Sequence, residues 1–181
     1  DGTVITSFGD NGKVDLRSGL GRDSSRLTVW ATSPGVIFKD LLIQGTALGE
    51  GYDAAPGFVR AYNLKTGKIA WTFHTIPQPG EFGYETWSEN AYKEVGGTNS
   101  WAGMSLDEAR GIVYIPTGSP AFDFYGGNRK GKNLFGNCLL AIEAATGKLI
   151  WYYQLVHHDI WDYDLPAPPN LVTIVQDGKK V

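Results

Sequence analysis

Two segments of this chain match at a fixed offset: AYNLKTGKIAW, from Ala61 to Trp71, and AIEAATGKLIW, from Ala141 to Trp151. They lie 80 residues apart (61 to 141), and the Ala, the Thr-Gly-Lys and the closing Trp coincide. Upstream of each lies a second matched stretch, VWATSPGVIFKDLLIQGTA (Val29 to Ala47) and SWAGMSLDEARGIVYIPTGS (Ser100 to Ser119). Both of these carry a Trp, a polar turn and a β-branched run that ends at small residues. The alternation in GIVYIPTG and KIAWTFHTI suits half-buried strands. The Thr-Gly pair supplies the positive φ of a tight hairpin turn. Each unit, about 28–75 and 99–156, therefore reads strand, turn, strand, then strand, turn, strand closing on Trp. A repeated four-stranded unit of this kind is a β-propeller blade.

The fold class is thus all-β and part of a propeller. Two full units are present, with leading and trailing pieces; PNLVTIVQDGKKV opens another strand. Propellers use roughly four to eight blades, and arrays of fewer than about three repeats rarely bury enough core. The expectation is a segment of a longer protein whose open flanks would self-associate if it folded alone. Long insertions such as PQPGEFGYETWSENAYKEVGG are expected to project from the face where ligands are met.

Composition narrows the function classes. Lys plus Arg number 16 against 19 Asp plus Glu, a net charge of −3 with no basic run, which argues against nucleic acid or an anionic membrane surface as partner. No apolar stretch reaches the ~18–20 residues of a transmembrane helix, and DGTVITSFGDNGKVDL has no signal-peptide pattern. Cys138 is the single cysteine, so neither a disulfide framework nor a cysteine metal cluster is available. Its place in NCLLAI marks it as a small buried thiol.

Two of the three histidines fall side by side in HHDIWDYDLP, against Asp159, Asp162 and Asp164. Such a stretch is either a polar loop rich in turn-formers or the rim of a reaction site. Taken in order, the TGK…W repeats, GTALGEG, NSWAG, PTGSPAFDFYGGNR and HHDIWDYDLP resemble the pyrroloquinoline quinone (PQQ)-dependent dehydrogenases. Within them the resemblance is to the branch containing membrane-bound quinoprotein glucose dehydrogenase, and it runs from about Leu27 to Leu171. It implies an eight-bladed propeller of four-stranded sheets, with the quinone near the axis over Ca²⁺ or Mg²⁺. It also implies a sugar or alcohol substrate, a quinone or cytochrome electron acceptor, and a periplasmic setting, with membrane anchoring of the parent left open.

The resemblance carries over to particular residues. Asp162 matches the catalytic base, a carboxylate that takes the hydroxyl proton as the alcohol is oxidised and that is kept ionised by the nearby cation. Glu50 matches the metal-binding glutamate, on a Gly-rich turn where the backbone allows close approach. One extra residue lies between Pro34 and Glu50 compared with methanol-oxidising relatives, which bears on the register of Thr46, Ala47 and Gly49 as cofactor neighbours. Trp101 matches the indole on which the quinone ring lies, and Thr32 is a candidate hydroxyl contact to a cofactor carboxylate. The resemblance implies a metal set of Glu50, Asp162 and Ser119; Ser119 stands where many relatives have a metal-binding Asn, so Asp123 or water would complete the shell. His157, His158 and Asp159 are candidate orienting or substrate-side groups, since the family's metal takes oxygen ligands. Trp161 reads as a wedge holding the loop, Trp71 and Trp151 as propeller-core residues, and GGNRKGKN as a solvated turn. A non-catalytic propeller scaffold and a carbohydrate-binding module stay open as alternatives. The first has no reason to keep Glu50, Trp101 and Asp162 together, and the second needs no acidic cluster. With the remaining contacts absent, the isolated chain is expected to lack turnover.

Overall fold

The matched stretches become two copies of one sheet. The computed structural model describes residues 2–180. Strands β1 (Val29–Trp30) and β4 (Ala47–Leu48) pair with each other, while β2 (Val36–Phe38), β3 (Leu41–Gln44), β5 (Val59–Asn63) and β6 (Ile69–Phe73) form an antiparallel meander. A second meander follows from β7 (Ser105–Asp107), β8 (Ile112–Pro116), β9 (Cys138–Glu143) and β10 (Leu149–Gln154). Near the end of the chain, β11 (Val175–Gln176) and β12 (Lys179–Lys180) make a small hairpin. The sheets do not close into a ring, and the architecture is that of a partial propeller.

The two TGK turns are built alike. The Asn63 amide donates to Lys68 O and the Glu143 amide to Lys148 O, both at 2.8 Å. Gly67 and Gly147 supply the left-handed residue, at φ 70° and 76°. Between the sheets, Ile43, Val59 and Ala61 meet Val113, Ile115, Leu140 and Ile142, all fully buried. In β8 the alternation is visible directly, with Val113 and Ile115 inside and Ile112 and Tyr114 half-buried. Cys138 is buried in the same core, and burial pushes its thiol pKa up.

The repeat Trp explains how one sheet is held to the next. Trp71, at the outer strand of the first sheet, lies on the second sheet's TGK turn and donates its indole N–H to Ala144 O at 3.1 Å. A Cβ at Gly147 would stand 2.6 Å from the Trp71 ring, so only glycine lets the ring settle there. Gly67 receives the N-terminal segment in a related way, with the Gly9 amide donating to Thr66 O at 3.0 Å. Trp151 corrects the expectation of a second core Trp: it is 43% exposed, beside exposed Ile150, Tyr153 and Leu155. Among the described residues no further glycine turn lies over it, so a position that buries Trp71 leaves Trp151 open.

The 77–97 insertion packs down rather than projecting freely. Its 3-10 turn (Tyr84–Thr86) and α1 (Ala91–Glu94) bury Trp87, Ala91 and Val95 against Leu20, Leu48, Phe58 and Ile76. Arg22 ties the package by donating to Ala54 O at 3.0 Å and Val95 O at 2.5 Å. Among the described residues no helix is long and apolar enough to cross a membrane.

Candidate active site

Four loops meet at one end of the two sheets because their backbones are stitched together. Gly57 donates to Gly97 O at 2.8 Å and Gly97 to Ala55 O at 3.0 Å. Thr98 donates to Ser119 O and Gly118 to Asn99 O, both at 2.8 Å. Between them opens a cavity of about 360 Å³. Its walls carry two indoles (Trp30, Trp101), four acids (Glu50, Asp123, Asp162, Asp164), Asn99, Ser119 and the small residues Ala47, Gly49 and Gly97.

The acidic loop is shaped by Asp159, which is 2% exposed. Its Oδ2 accepts from Ser119 Oγ (2.6 Å), the Tyr163 amide (2.7 Å) and Asn137 Nδ2 (3.0 Å), and its Oδ1 from the Trp161 amide (3.0 Å). Burial pushes this carboxyl up, but the donors from Ser119, Trp161, Tyr163 and Asn137 outweigh it and hold Asp159 below the usual range. The chain wraps around this anchor with His158 and Asp162 left-handed, at φ 49° and 59°, and Asp162 and Asp164 reach the cavity. Partial desolvation, then the charges of Asp164, Glu50 and Asp159, hold Asp162 above the ordinary carboxylate range.

Asp123 is the most perturbed acid in the cavity. Burial first, then Asp162, Glu50 and Asp164, push it up to about 7, with Arg129 opposing. An acid at 3.8 when unfolded and about 7 when folded binds its proton only in the folded chain between those values. Stability of the cation-free protein should therefore fall as pH rises through that window. In urea titrations at a series of pH values, Asp123→Asn should flatten the decline; an unchanged slope would assign it to other groups.

Glu50, Trp101, Ala47, Gly49, Ser119 and Asp162 all line the one cavity. Thr32, His157, His158 and Asp159 do not. Thr32 Oγ1 instead donates to Trp101 O at 2.9 Å, beside Ser33 Oγ at 2.5 Å. His158 Nδ1 pairs with Gly131 O at 2.8 Å, and His157 is exposed away from the cavity. Asp159 is an anchor rather than a substrate-side group, since its donors already enclose it. Ser119 Oγ donates to Asp159 and accepts from Asn137 Nδ2 at 3.0 Å, so its hydroxyl is already engaged at the cavity wall. Trp161 is 68% exposed and wedges nothing.

The GGNRKGKN turn is solvated at Gly127, Asn128, Lys130, Gly131 and Lys132, as expected, but not at Arg129. Arg129 is fully buried, donating to Asn133 Oδ1 (2.9 Å), Phe122 O (3.3 Å) and Asp159 O (2.5 Å). Burial lowers its pKa, against the raising effect of Asp159 and Asp123. Trp30, Asn99 and Asn137 escaped the sequence reading. The signal for Trp30 was present, because it is the repeat counterpart of Trp101, and both indoles face the same space. Among the described residues, no three His, Cys, Asp or Glu side chains converge as a self-sufficient metal site. A cation here would need amide, cofactor or water oxygens as well.

The whole chain, 1–181, matches the family described as "PQQ: Glucose/ethanol/alcohol dehydrogenase, beta-propeller domain". Among curated proteins it is 36% identical to the quinate/shikimate dehydrogenase (quinone) of Acinetobacter baylyi, over 98% of this chain and 22% of that protein. It is also 36% identical to the quinoprotein glucose dehydrogenase of Gluconobacter oxydans, over 99% of this chain and 22% of that protein. The chain thus spans about a fifth of the length of these relatives. Among solved structures, the quinohemoprotein alcohol dehydrogenase of Comamonas testosteroni superposes with a TM-score of 0.74 at 28% identity, covering 90% of this chain and 25% of that one.

Proposed function

Because the chain belongs to the PQQ-type glucose/ethanol/alcohol dehydrogenase β-propeller family, we propose that it forms part of the active site of a quinone-linked oxidoreductase acting on a sugar or alcohol hydroxyl. The observation that carries this reading is the meeting of two indoles and four carboxylates in one cavity. A scaffold has no use for such a cluster, because neighbouring carboxylates push Asp123 and Asp162 up and so weaken the fold unless a cation or a proton relieves them.

The residues fit the implied groups. Trp101 offers a flat indole for a tricyclic quinone, worth roughly 0.5–1.5 kcal/mol of stacking beyond area burial. Ala47 and Gly49 leave the cavity wall without bulk. Glu50 and Asp123, with the Asn99 amide oxygen, supply hard oxygen donors suited to Ca²⁺ or Mg²⁺. Asn99 Nδ2 is already held by Thr46 O at 2.8 Å, leaving its oxygen for a ligand. PQQ, when bound, supplies the electrophilic carbon that accepts hydride from the alcohol. Asp162 takes the hydroxyl proton on its carboxylate, and its rim position keeps it within reach of a substrate entering from solvent. Asp123 holds its proton in the cation-free site near neutral pH and gives it up when a cation binds. The reading carries with it a periplasmic setting and a quinone or cytochrome acceptor, both from the family resemblance.

A PQQ titration followed by tryptophan quenching, with and without Ca²⁺, tests the reading. Metal-dependent quenching that is lost in Trp101→Ala supports it. Quenching that is unchanged in Trp101→Ala, in the protein that carries this chain, would refute Trp101 as the platform.

A further inference from the structure

The second aspartate of the WDYD stretch does more than add charge to the cavity. Asp164 Oδ2 accepts the Trp101 indole N–H at 2.6 Å, and its Oδ1 accepts the Ser119 amide, also at 2.6 Å. Both oxygens are thus engaged, one on the aromatic wall and one on the loop after β8. Indole has a single donor and no acceptor, so this bond is the one polar constraint on the ring's orientation. A carboxylate acceptor makes it short and strong.

The surrounding chain is built around this contact. A Cβ at Gly118 would stand 2.5 Å from Asp164 Oδ1 and 2.8 Å from its Cγ, so glycine at 118 is what admits the carboxylate. The backbone of Trp101 is held separately, with Thr32 and Ser33 hydroxyls both donating to its carbonyl. The indole is therefore gripped at its main chain from the β1–β2 loop and at its ring from the acidic loop. Asp164 sits two residues from Asp162 and is tied through Ser119 to the Asp159 anchor. Ring and acidic loop are thus joined by direct hydrogen bonds.

We propose that Asp164 is a positioning residue: through its bond to the Trp101 indole it sets the plane on which the cofactor lies and locks that plane to the loop bearing Asp162. This rests on the reading of Trp101 as the cofactor platform. It predicts that Asp164 acts on cofactor binding through the indole N–H and not as an independent charge.

A double-mutant cycle on PQQ binding, read by equilibrium dialysis with Ca²⁺ present in the protein that carries this chain, tests it. Trp101→Phe keeps an aromatic face but removes the donor. Asp164→Asn should weaken PQQ binding about tenfold in the wild-type background and have less than about a twofold effect in the Trp101→Phe background. Equal effects in both backgrounds, or no effect in either, would overturn the inference while leaving the platform reading intact. Trp101→Ala, run alongside, separates the two: PQQ binding unchanged by it would sink the platform reading and this inference with it. If Asp164→Asn fails to fold, the difference ultraviolet resonance Raman spectrum of wild type minus Trp101→Phe reports the indole directly. A strongly hydrogen-bonded N–H band supports the assignment, and a free one overturns it.

Discussion

Asp162→Asn is expected to lower turnover of the PQQ- and Ca²⁺-loaded protein that carries this chain by about 10²–10⁴-fold, the usual worth of a positioned general base. The amide is nearly isosteric and Asp162 sits at the rim, outside both cores, so the fold should persist. Asn cannot accept a proton at neutral pH, and it also removes one of the charges that push Asp123 upward. Two readouts should therefore change together. Substrate-dependent dye reduction should collapse, and the Asp123 carboxyl should titrate lower than in the wild type. Turnover within a few-fold of wild type would reject Asp162 as the base and turn attention to Glu50 or Asp123.

Asp159→Ala should be the most damaging single change to the site's architecture. It leaves Ser119 Oγ and the amides of Trp161 and Tyr163 without their acceptor, while Asn137 Nδ2 keeps Ser119 Oγ and Tyr163 O. Orphaned buried donors cost about 1–3 kcal/mol each. Since removing a buried carboxylate returns part of its desolvation, a net loss of about 3–5 kcal/mol follows. Set against a typical total of about 5–15 kcal/mol, that is enough to unfold a marginal protein. The pH dependence follows from the depressed carboxyl. Its contribution is fully present above the unfolded carboxylate value and is lost as pH falls through the lower, folded one. Urea midpoints measured down through the acid range should show wild type losing stability that Asp159→Ala never had. Parallel curves for the two proteins would mean that the Asp159 hydrogen bonds add nothing.

Much of the fold was legible before any coordinates. The TGK…W repeat carries its own physics: a glycine at positive φ for the turn, alternation for the strands, and a Trp at a constant place. Both meanders formed where those signals lie. Glu50, Trp101 and Asp162 belong to motifs spread from 50 to 162 in the chain, and nothing in those motifs shows that they share a cavity with Asp123. That convergence depends on loop backbones touching at Gly57, Gly97 and Gly118, and contact between distant segments has no local signature.

The misreadings share one physical cause. Local composition tells which residue types a stretch contains, whereas burial depends on what folds over it. GGNRKGKN has the composition of a solvated turn, yet Arg129 is enclosed because the Phe122 and Asp159 carbonyls reach it from outside the stretch and Asn133 closes on it from within. Trp151 has the same local sequence as Trp71, yet among the described residues a glycine turn lies against Trp71 and none against Trp151. HHDIWDYDLP displays five polar candidates. The division of labour among them, with Asp159 as anchor, His158 on the Gly131 carbonyl, and Asp162 and Asp164 at the cavity, was decided by which donors lay beneath each side chain. The sequence by itself determined the blade, its turns and the chemical character of the site. Only the tertiary structure decided which acid faces the cavity and which holds the loop, because a carboxylate's surroundings of hydrogen bonds and charges come from elsewhere in the chain.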